Sequence, residues 1–271
     1  MEIAFSYPEA SFNAKYHSTA RHSRRAAAAP APDISLSRTI SLASDAWPRH
    51  EHIMNTVSHI LAGARLELRG SGALWWPDAR LLCVSDLHLG KAERLARRGG
   101  GLLPPYECAE TLERLDAEIS ALSPAVVICL GDSFDDLVAA DSLDPSHGQW
   151  LARMMAGRNW IWITGNHDPG PISLPGQILG SYCAAPLIFR HIAEPDAEPG
   201  EVSGHYHPKA RLGGLRRPCF LADRRRLILP AFGTYTGGLN AATPDLAALM
   251  DASALAVLTG PTRAVLPLAA C

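Results

Sequence analysis

No apolar stretch of this 271-residue chain approaches the ~18 residues that a membrane-spanning helix requires, and the N-terminal region has no apolar run of the ~7 to 15 residues that a secretory signal carries. The six cysteines, at positions 83, 108, 129, 183, 219 and 271, form no C-x-x-C pair. Cys83 and Cys129 sit inside apolar runs, where a free thiol acts as a small buried hydrophobe of a reducing compartment. Neither charge is in excess: 25 Lys and Arg face 27 Asp and Glu, a net charge of −2, so any footprint for a polyanion must be local. No repeat of solenoid period occurs. These absences lead to the expectation of a soluble, cytoplasmic protein.

Apolar residues make up 47% of the chain, enough for one substantial core, but they are unevenly spread. Residues 1–53 mix Ser, Ala, Pro and Arg, as in Arg24-Arg25-Ala-Ala-Ala-Ala-Pro-Ala-Pro32. Such a composition cannot offset the entropy of ordering, so a disordered extension is expected there, with Met54 as an alternative start and one domain over 54–271. Strand patterns cover Arg65–Arg69, a run ending at Trp76, and Leu81–Val84. A charged helical segment, Lys91–Arg98, follows. Leu112, Leu115, Ile119 and Leu122 recur at helical spacing after Pro104-Pro105. Then come a strand over Ala125–Leu130, a helix around Gln149–Ala156 and a strand over Trp160–Ile163, with Trp75, Trp76, Trp160 and Trp162 read as core. Alternating strands and helices indicate an α/β fold whose ligands gather at the C-terminal ends of the strands. Further on, Ala184–Arg190, Glu201–Ser203, Pro218–Ala222 and Leu227–Leu229 read as short strands of a second, more antiparallel sheet.

The chemistry is concentrated where these strands end. Leu81–Val84 leads into Asp86-Leu-His88, which alternation on an extended backbone would put on one side as half of a first-row metal site. The next strands stop on Gly131-Asp132 and Gly165-Asn166-His167-Asp168, and the second half adds His191 and Gly204-His205-Tyr206-His207. One such end is ordinary; five in one chain point to metal binding. Ser133, Asp135 and Asp136 read as turn or helix-cap residues, and His147 as solvated.

In this order, Asp-x-His, Gly-Asp, Gly-Asn-His-Asp, His and Gly-His-x-His, the chain resembles the calcineurin-like metallophosphoesterases over about Arg65 to Gly238. The resemblance implies a two-sheet sandwich flanked by helices, with a dinuclear metal site at the strand ends. Asp86, His88 and His207 would hold one ion, Asn166, His191 and His205 the other, and Asp132 would bridge them. Two cations ~3.5 to 4 Å apart can acidify a bridging water and neutralise phosphate oxygens. His167 would serve as a donor to the transition state or leaving oxygen, and Asp168 would orient its imidazole. The stretches Ser85–Lys91, Glu93–Gly100, Leu103–Pro105, Gly131–Phe134, Gly204–Pro208 and Leu229–Asn240 are also similar to the bacterial ligase-associated DNA damage response phosphoesterases, the PdeM group. That group implies manganese, with iron, zinc or magnesium as alternatives, phosphodiester substrates including 2′,3′-cyclic phosphates, and an ATP-dependent DNA ligase, a helicase and an exonuclease as partners. Asp135 departs from the His that the double-strand-break repair nucleases place there, which weighs against direct DNA nuclease activity.

Basic residues flank the motifs: Lys91, Arg94, Arg97 and Arg98 after the first pair, Arg211, Arg216, Arg217 and Arg224 to Arg226 after the last. Lys91, Arg94 and Arg97 are the candidate substrate contacts, because cations beside a catalytic mouth position phosphates. The expected function is a metal-dependent phosphodiesterase with an activated, metal-bridging hydroxide, acting on nucleic acid or nucleotides in end processing or DNA repair. A phosphomonoesterase or nucleotide pyrophosphatase acting on a small metabolite is the alternative. A non-catalytic scaffold of the same fold would have lost ligands, and none is missing.

Overall fold

Short runs of strand-forming residues joined by tight turns open the fold as a meander. In the computed structural model, which describes residues 55–99, 104 and 106–271, β1 (Thr56–Leu61), β2 (Ala64–Arg69), β3 (Leu74–Trp76) and β4 (Leu81–Val84) pair antiparallel in sequence order. The disorder expected of residues 1–53 lies outside the described residues. After β4 helices carry the chain back to β5 (Val126–Leu130) and then β6 (Asn159–Ile163), a helix-free segment returns it to β7 (Gln177–Leu179), and the three strands add in parallel to complete a seven-stranded sheet. The crossovers are α1 (Lys91–Arg97) with α2 (Glu107–Leu122), then α3 (Leu137–Asp141) with α4 (Pro145–Met155). α4 starts earlier than the apolar period suggests, because the Asp144 side chain accepts the Ser146 N–H and Pro145 presets the first turn.

The second sheet holds β8 (Ser181–Ala184), β9 (Leu187–Arg190), β10 (Glu201–Ser203), β11 (Lys209–Leu212), β12 (Leu215–Ala222), β13 (Arg226–Ile228), β14 (Leu255–Leu258) and β15 (Ala264–Pro267). Its order is β15-β14-β12-β13-β10-β9-β8, with β11 paired to β12. The single strand expected over Ala184–Arg190 is instead the second half of a hairpin, since Pro186 cannot continue a ladder and the chain turns there between β8 and β9. The sheet is mixed: β10 runs parallel to both β9 and β13, while its other pairs are antiparallel. α5 (Pro244–Leu249) follows β13 and precedes β14.

Alternation along β4 shows how the layers lock. Leu81 and Cys83 join Ile128, Leu130, Ile161 and Ile163 against Phe189, Val202, Phe220 and Leu227 of the second sheet. Leu82 and Val84 join Val127, Cys129, Trp160 and Trp162 against Leu112, Leu115 and Ile119 of α2 and Leu151 and Met154 of α4. A third cluster packs Leu221, Ile228 and Leu258 against Leu246 of α5. The result is an α/β fold with two sheets face to face and helices outside them. Strands buried on both faces read as unbroken apolar runs, and each large side chain so buried contributes roughly 1.5–3 kcal/mol. β4, β5 and β6 are therefore fixed from both sides, which makes their C-terminal ends a rigid rim. No helix among the described residues is long and apolar enough to cross a membrane.

Candidate metal centre

The parallel register places Val84 beside Cys129 and Leu130 beside Ile163, so the segments after β4, β5 and β6 leave the sheet at one edge. Asp86 and His88 do not lie on extended backbone, as alternation suggested. β4 ends at Val84, and both residues are left-handed, with φ of 53° and 47°; Asp132 (46°), His205 (73°) and His207 (46°) share that conformation. A non-glycine residue there costs on the order of 1 kcal/mol or more. Cross-loop hydrogen bonds hold the turns: Asp86 N–H donates to the Gly131 carbonyl (3.2 Å), His88 N–H to the Asp132 carbonyl (2.9 Å) and Gly233 N–H to the Asp86 carbonyl (3.0 Å). Two glycines make room. A Cβ on Gly131 would strike the His191 ring, and one on Gly204 would strike Ser85 Oγ and the Asp86 carboxylate.

The side chains converge. Asp86 Oδ2 accepts from Ser85 Oγ (2.5 Å) and His205 N–H (3.0 Å), while its buried Oδ1 has no hydrogen-bond partner and lies 3.2 Å from His207 Nε2. His88 Nε2 and His207 Nε2 are 3.4 Å apart. Asp132 Oδ1 accepts His167 N–H (2.8 Å), and Oδ2 lies 3.4 Å from His191 Nε2, which is 3.1 Å from Asn166 Oδ1 and 3.2 Å from His205 Nδ1. Potential ligand atoms of Asp86, His88 and His207 thus lie within 4.8 Å of one another, as do those of His88, Asp132 and His167 and those of Asp132, His191 and His205. All seven expected ligand positions are brought together, with Asp132 common to two groups. Facing imidazole nitrogens and an orphaned buried carboxylate oxygen are unfavourable unless a cation lies between them, and this nitrogen and oxygen set suits first-row divalent ions. A separate trio, Glu93, Glu107 and Cys108, also clusters, but Glu107 Oε1 there accepts the Ala92 N–H (3.0 Å) and caps α1.

The electrostatics favour a charged carboxylate pair. Burial opposes ionisation of Asp86 and Asp132, yet the imidazoles of His207 and His191 respectively outweigh it and hold both carboxyls below their usual range. Burial likewise disfavours the His191 cation, but Asp132 and Asp86 raise its pKa above the ordinary value. His205 is lowered, by burial and by the charge of His191.

Two carboxylates differ from their expected roles. Asp135 is not a turn or cap residue: its fully buried side chain takes His88 Nδ1–H on Oδ1 (2.8 Å) and pairs with Arg94 through Oδ2. Burial opposes its ionisation, but His88 and Arg94 bring the carboxyl down to about 2. Because Nδ1 of His88 is thereby the protonated nitrogen, Nε2 faces the centre. The Leu130 carbonyl does the same for His191 Nδ1 (3.0 Å). Asp168, expected to orient His167, instead accepts from Asp132 N–H (3.1 Å) and Gly165 N–H (2.9 Å) on Oδ1, and from Ser133 N–H (2.8 Å) and Phe134 N–H (3.2 Å) on Oδ2. Four backbone amides at these turns, three of them buried, outcompete one imidazole for a carboxylate. His167 Nδ1–H donates to the Asp135 backbone carbonyl instead (2.9 Å). Asp136 caps α3 as expected, accepting the Ala139 N–H (2.7 Å). Asp168→Asn, which sets an amide group against those N–H donors, is expected to cost about 2–4 kcal/mol. Thermal unfolding of the metal-free protein measures it; an unchanged midpoint would mean that the amides find other acceptors.

The basic residues are placed less simply than their order suggests. Arg94 and Arg97 are committed, to Asp135 and, through two bonds of 2.9 and 3.1 Å, to Asp136, so neither is free to meet a substrate phosphate as expected. Lys91 has no carboxylate partner among the described residues. Arg217 donates to the Thr259 and Thr262 carbonyls, Arg225 to the Ala197 carbonyl, and Arg226 pairs with Glu201. An open cavity of about 420 Å³, lined by Thr164, Asn166, Ser181, Arg190, His191 and Glu194 among others, adjoins the Asn166 and His191 side of the centre.

A family model described as calcineurin-like phosphoesterase matches residues 79–231, the span that contains every one of these ligand-type residues. Among solved structures, the chain is similar to the Pseudomonas putida nuclease MPE, with 29% identity and a TM-score of 0.60 over 75% of this chain and 96% of that one. It also aligns with Yfce, a phosphoesterase from E. coli, at 11% identity and a TM-score of 0.33, over 69% of this chain and 98% of that one. The search of curated proteins found no match.

Proposed function

The chain belongs to the calcineurin-like phosphoesterase family and is a metal-dependent phosphoester hydrolase, and from that premise we propose that its substrates are phosphodiesters, including 2′,3′-cyclic phosphates, of nucleic acids or nucleotides. Nucleic-acid end processing or DNA repair is the proposed setting, with an ATP-dependent DNA ligase, a helicase and an exonuclease as the partners it implies. The observation that carries the diester reading is the open cavity beside Asn166 and His191, which gives a second ester arm somewhere to go. The likeness to a nuclease points the same way.

Two divalent ions, proposed to be manganese and held by Asp86, His88 and His207 and by Asn166, His191 and His205 with Asp132 between them, would acidify a water and neutralise phosphate oxygens. The protein's part is to aim its donors. Asp135 and the Leu130 carbonyl fix the tautomers of His88 and His191, so both present Nε2 without reorganising. His167, whose Nδ1–H is held by the Asp135 carbonyl, keeps Nε2 available to carry a proton to the leaving oxygen.

Paired monoester, diester, 2′,3′-cyclic nucleotide and DNA substrates, assayed with the manganese-loaded protein, test this reading. A diester or cyclic phosphate is expected to have the highest kcat/KM. The reverse order would assign the centre to phosphomonoesters of small metabolites, and inactivity with both metals bound would leave a non-catalytic scaffold.

A further inference from the structure

Directly after His207 the chain enters β11 and returns in β12, a hairpin closed by Gly213-Gly214. Its register sets Arg211 opposite Arg216 and Lys209 opposite Pro218, so Lys209, Arg211 and Arg216 share one face. Like charges directly opposite each other weaken an antiparallel pair. Both arginines are exposed, and among the described residues neither has a carboxylate partner. The other arginines near the centre differ: Arg94, Arg97, Arg190 and Arg226 each pair with an Asp or Glu.

This unmatched charge is continuous with the centre. Lys209 lies two residues after His207, its Nζ donates to the Thr236 carbonyl (3.0 Å), and Gly238 packs closely on both the His207 carbonyl and the Lys209 stem. Lys91, three residues after His88, begins α1. Two residues along a strand span about 6.7 Å, which lets Lys209 and then Arg211 follow a chain that carries one charge per nucleotide.

We propose that the β11–β12 hairpin is a rail for the phosphate backbone of a nucleic-acid strand, with Lys91 and Lys209 meeting phosphates next to the scissile one and Arg216 and Arg211 meeting those beyond. The preferred substrate is then a polynucleotide extending several nucleotides from the centre, and not a mononucleotide. The location of the scissile phosphate rests on the phosphodiesterase reading above; the hairpin's affinity for a polyanion does not.

The test compares the full-length protein with Arg211→Ala/Arg216→Ala. Fluorescence anisotropy with labelled 12-nucleotide DNA and RNA strands, without added metal, reads binding against salt. Loss of two phosphate contacts is expected to weaken Kd by ~10-fold and to flatten the slope of log Kd against log salt by about 1.4. Arg211→Lys/Arg216→Lys should restore the slope, since it returns the charge. With manganese, the Ala variant should lose kcat/KM on the 12-mers and hold it on bis(p-nitrophenyl) phosphate, which is too short to reach the hairpin. Unchanged Kd and salt slope would overturn the rail, as would an equal loss on the small diester. Wild-type inactivity on every diester would defeat the phosphodiesterase reading alone, and the anisotropy would still decide the rail.

Discussion

Asp132→Ala is expected to weaken metal binding at both positions together, by on the order of 100-fold or more, and to remove hydrolysis with it. Asp132 is the residue common to the His88 and His167 group and the His191 and His205 group, and its Oδ2 lies 3.4 Å from His191 Nε2. Without that shared negative charge, two dications ~3.5 to 4 Å apart would repel with nothing between them. The same change strips His191 of a carboxylate that raises its pKa, so its Nε2 becomes less basic as the proposed bridge is removed. Asp132→Asn separates charge from structure: it keeps an acceptor for the His167 N–H and removes the charge. Both variants should lose most of the gain in melting temperature that manganese gives the wild type, because a ligand stabilises only in proportion to its affinity. Two metals bound per chain at wild-type affinity, measured calorimetrically in either variant, would refute the bridging role.

The parts of this molecule that were legible in the sequence are those whose local pattern coincides with their tertiary setting. β4, β5 and β6 are buried on both faces, and a strand so placed must be apolar throughout, so Leu81–Val84, Val126–Leu130 and Trp160–Ile163 stand out from their surroundings. The polar groups that follow them are conspicuous because nothing else interrupts those runs. Side-chain direction was not legible. Asp86 and His88 reach the centre from left-handed turns that extended alternation does not describe, and those turns depend on hydrogen bonds from the loops after β5 and β13. The roles of Asp135 and Asp168 were hidden for the same reason: a carboxylate in a Gly-Asp-x-Phe-Asp string looks like a turn residue, and one directly after His167 looks like that imidazole's partner, until the real partners, His88 Nδ1 and four backbone amides, are known. Arg94 and Arg97 looked like phosphate contacts because sequence order cannot reveal that Asp135 and Asp136 neutralise them. β8 mixes polar and apolar residues, while β14 and β15 are apolar but only four residues long and lie at or next to the sheet edge, so none of the three gave a comparable signal.

His167→Ala is expected to retain metal yet lose turnover by ~100-fold or more wherever the leaving group needs a proton. His167 stands edge-on to His88, with ring centroids 5.0 Å apart, and its Nδ1–H is spent on the Asp135 carbonyl, which leaves Nε2 as the nitrogen that can hold and deliver a proton. Its backbone N–H, by contrast, supports Asp132 Oδ1, and alanine preserves that bond, so the variant tests the ring alone. The loss should therefore depend on the leaving group. A nitrophenolate departs without a proton, and an aryl diester should suffer less than a nucleoside diester whose alkoxide requires one. Measuring kcat of the variant on both substrates, with metal content determined on the same samples, separates three roles. A larger loss on the nucleoside diester marks proton donation. Equal losses with both metals kept would assign the imidazole to stabilising charge on the phosphoryl oxygens. Loss of a metal would make His167 a ligand, as its place within 4.8 Å of ligand atoms of His88 and Asp132 permits, and would end the proposal that it is the proton donor.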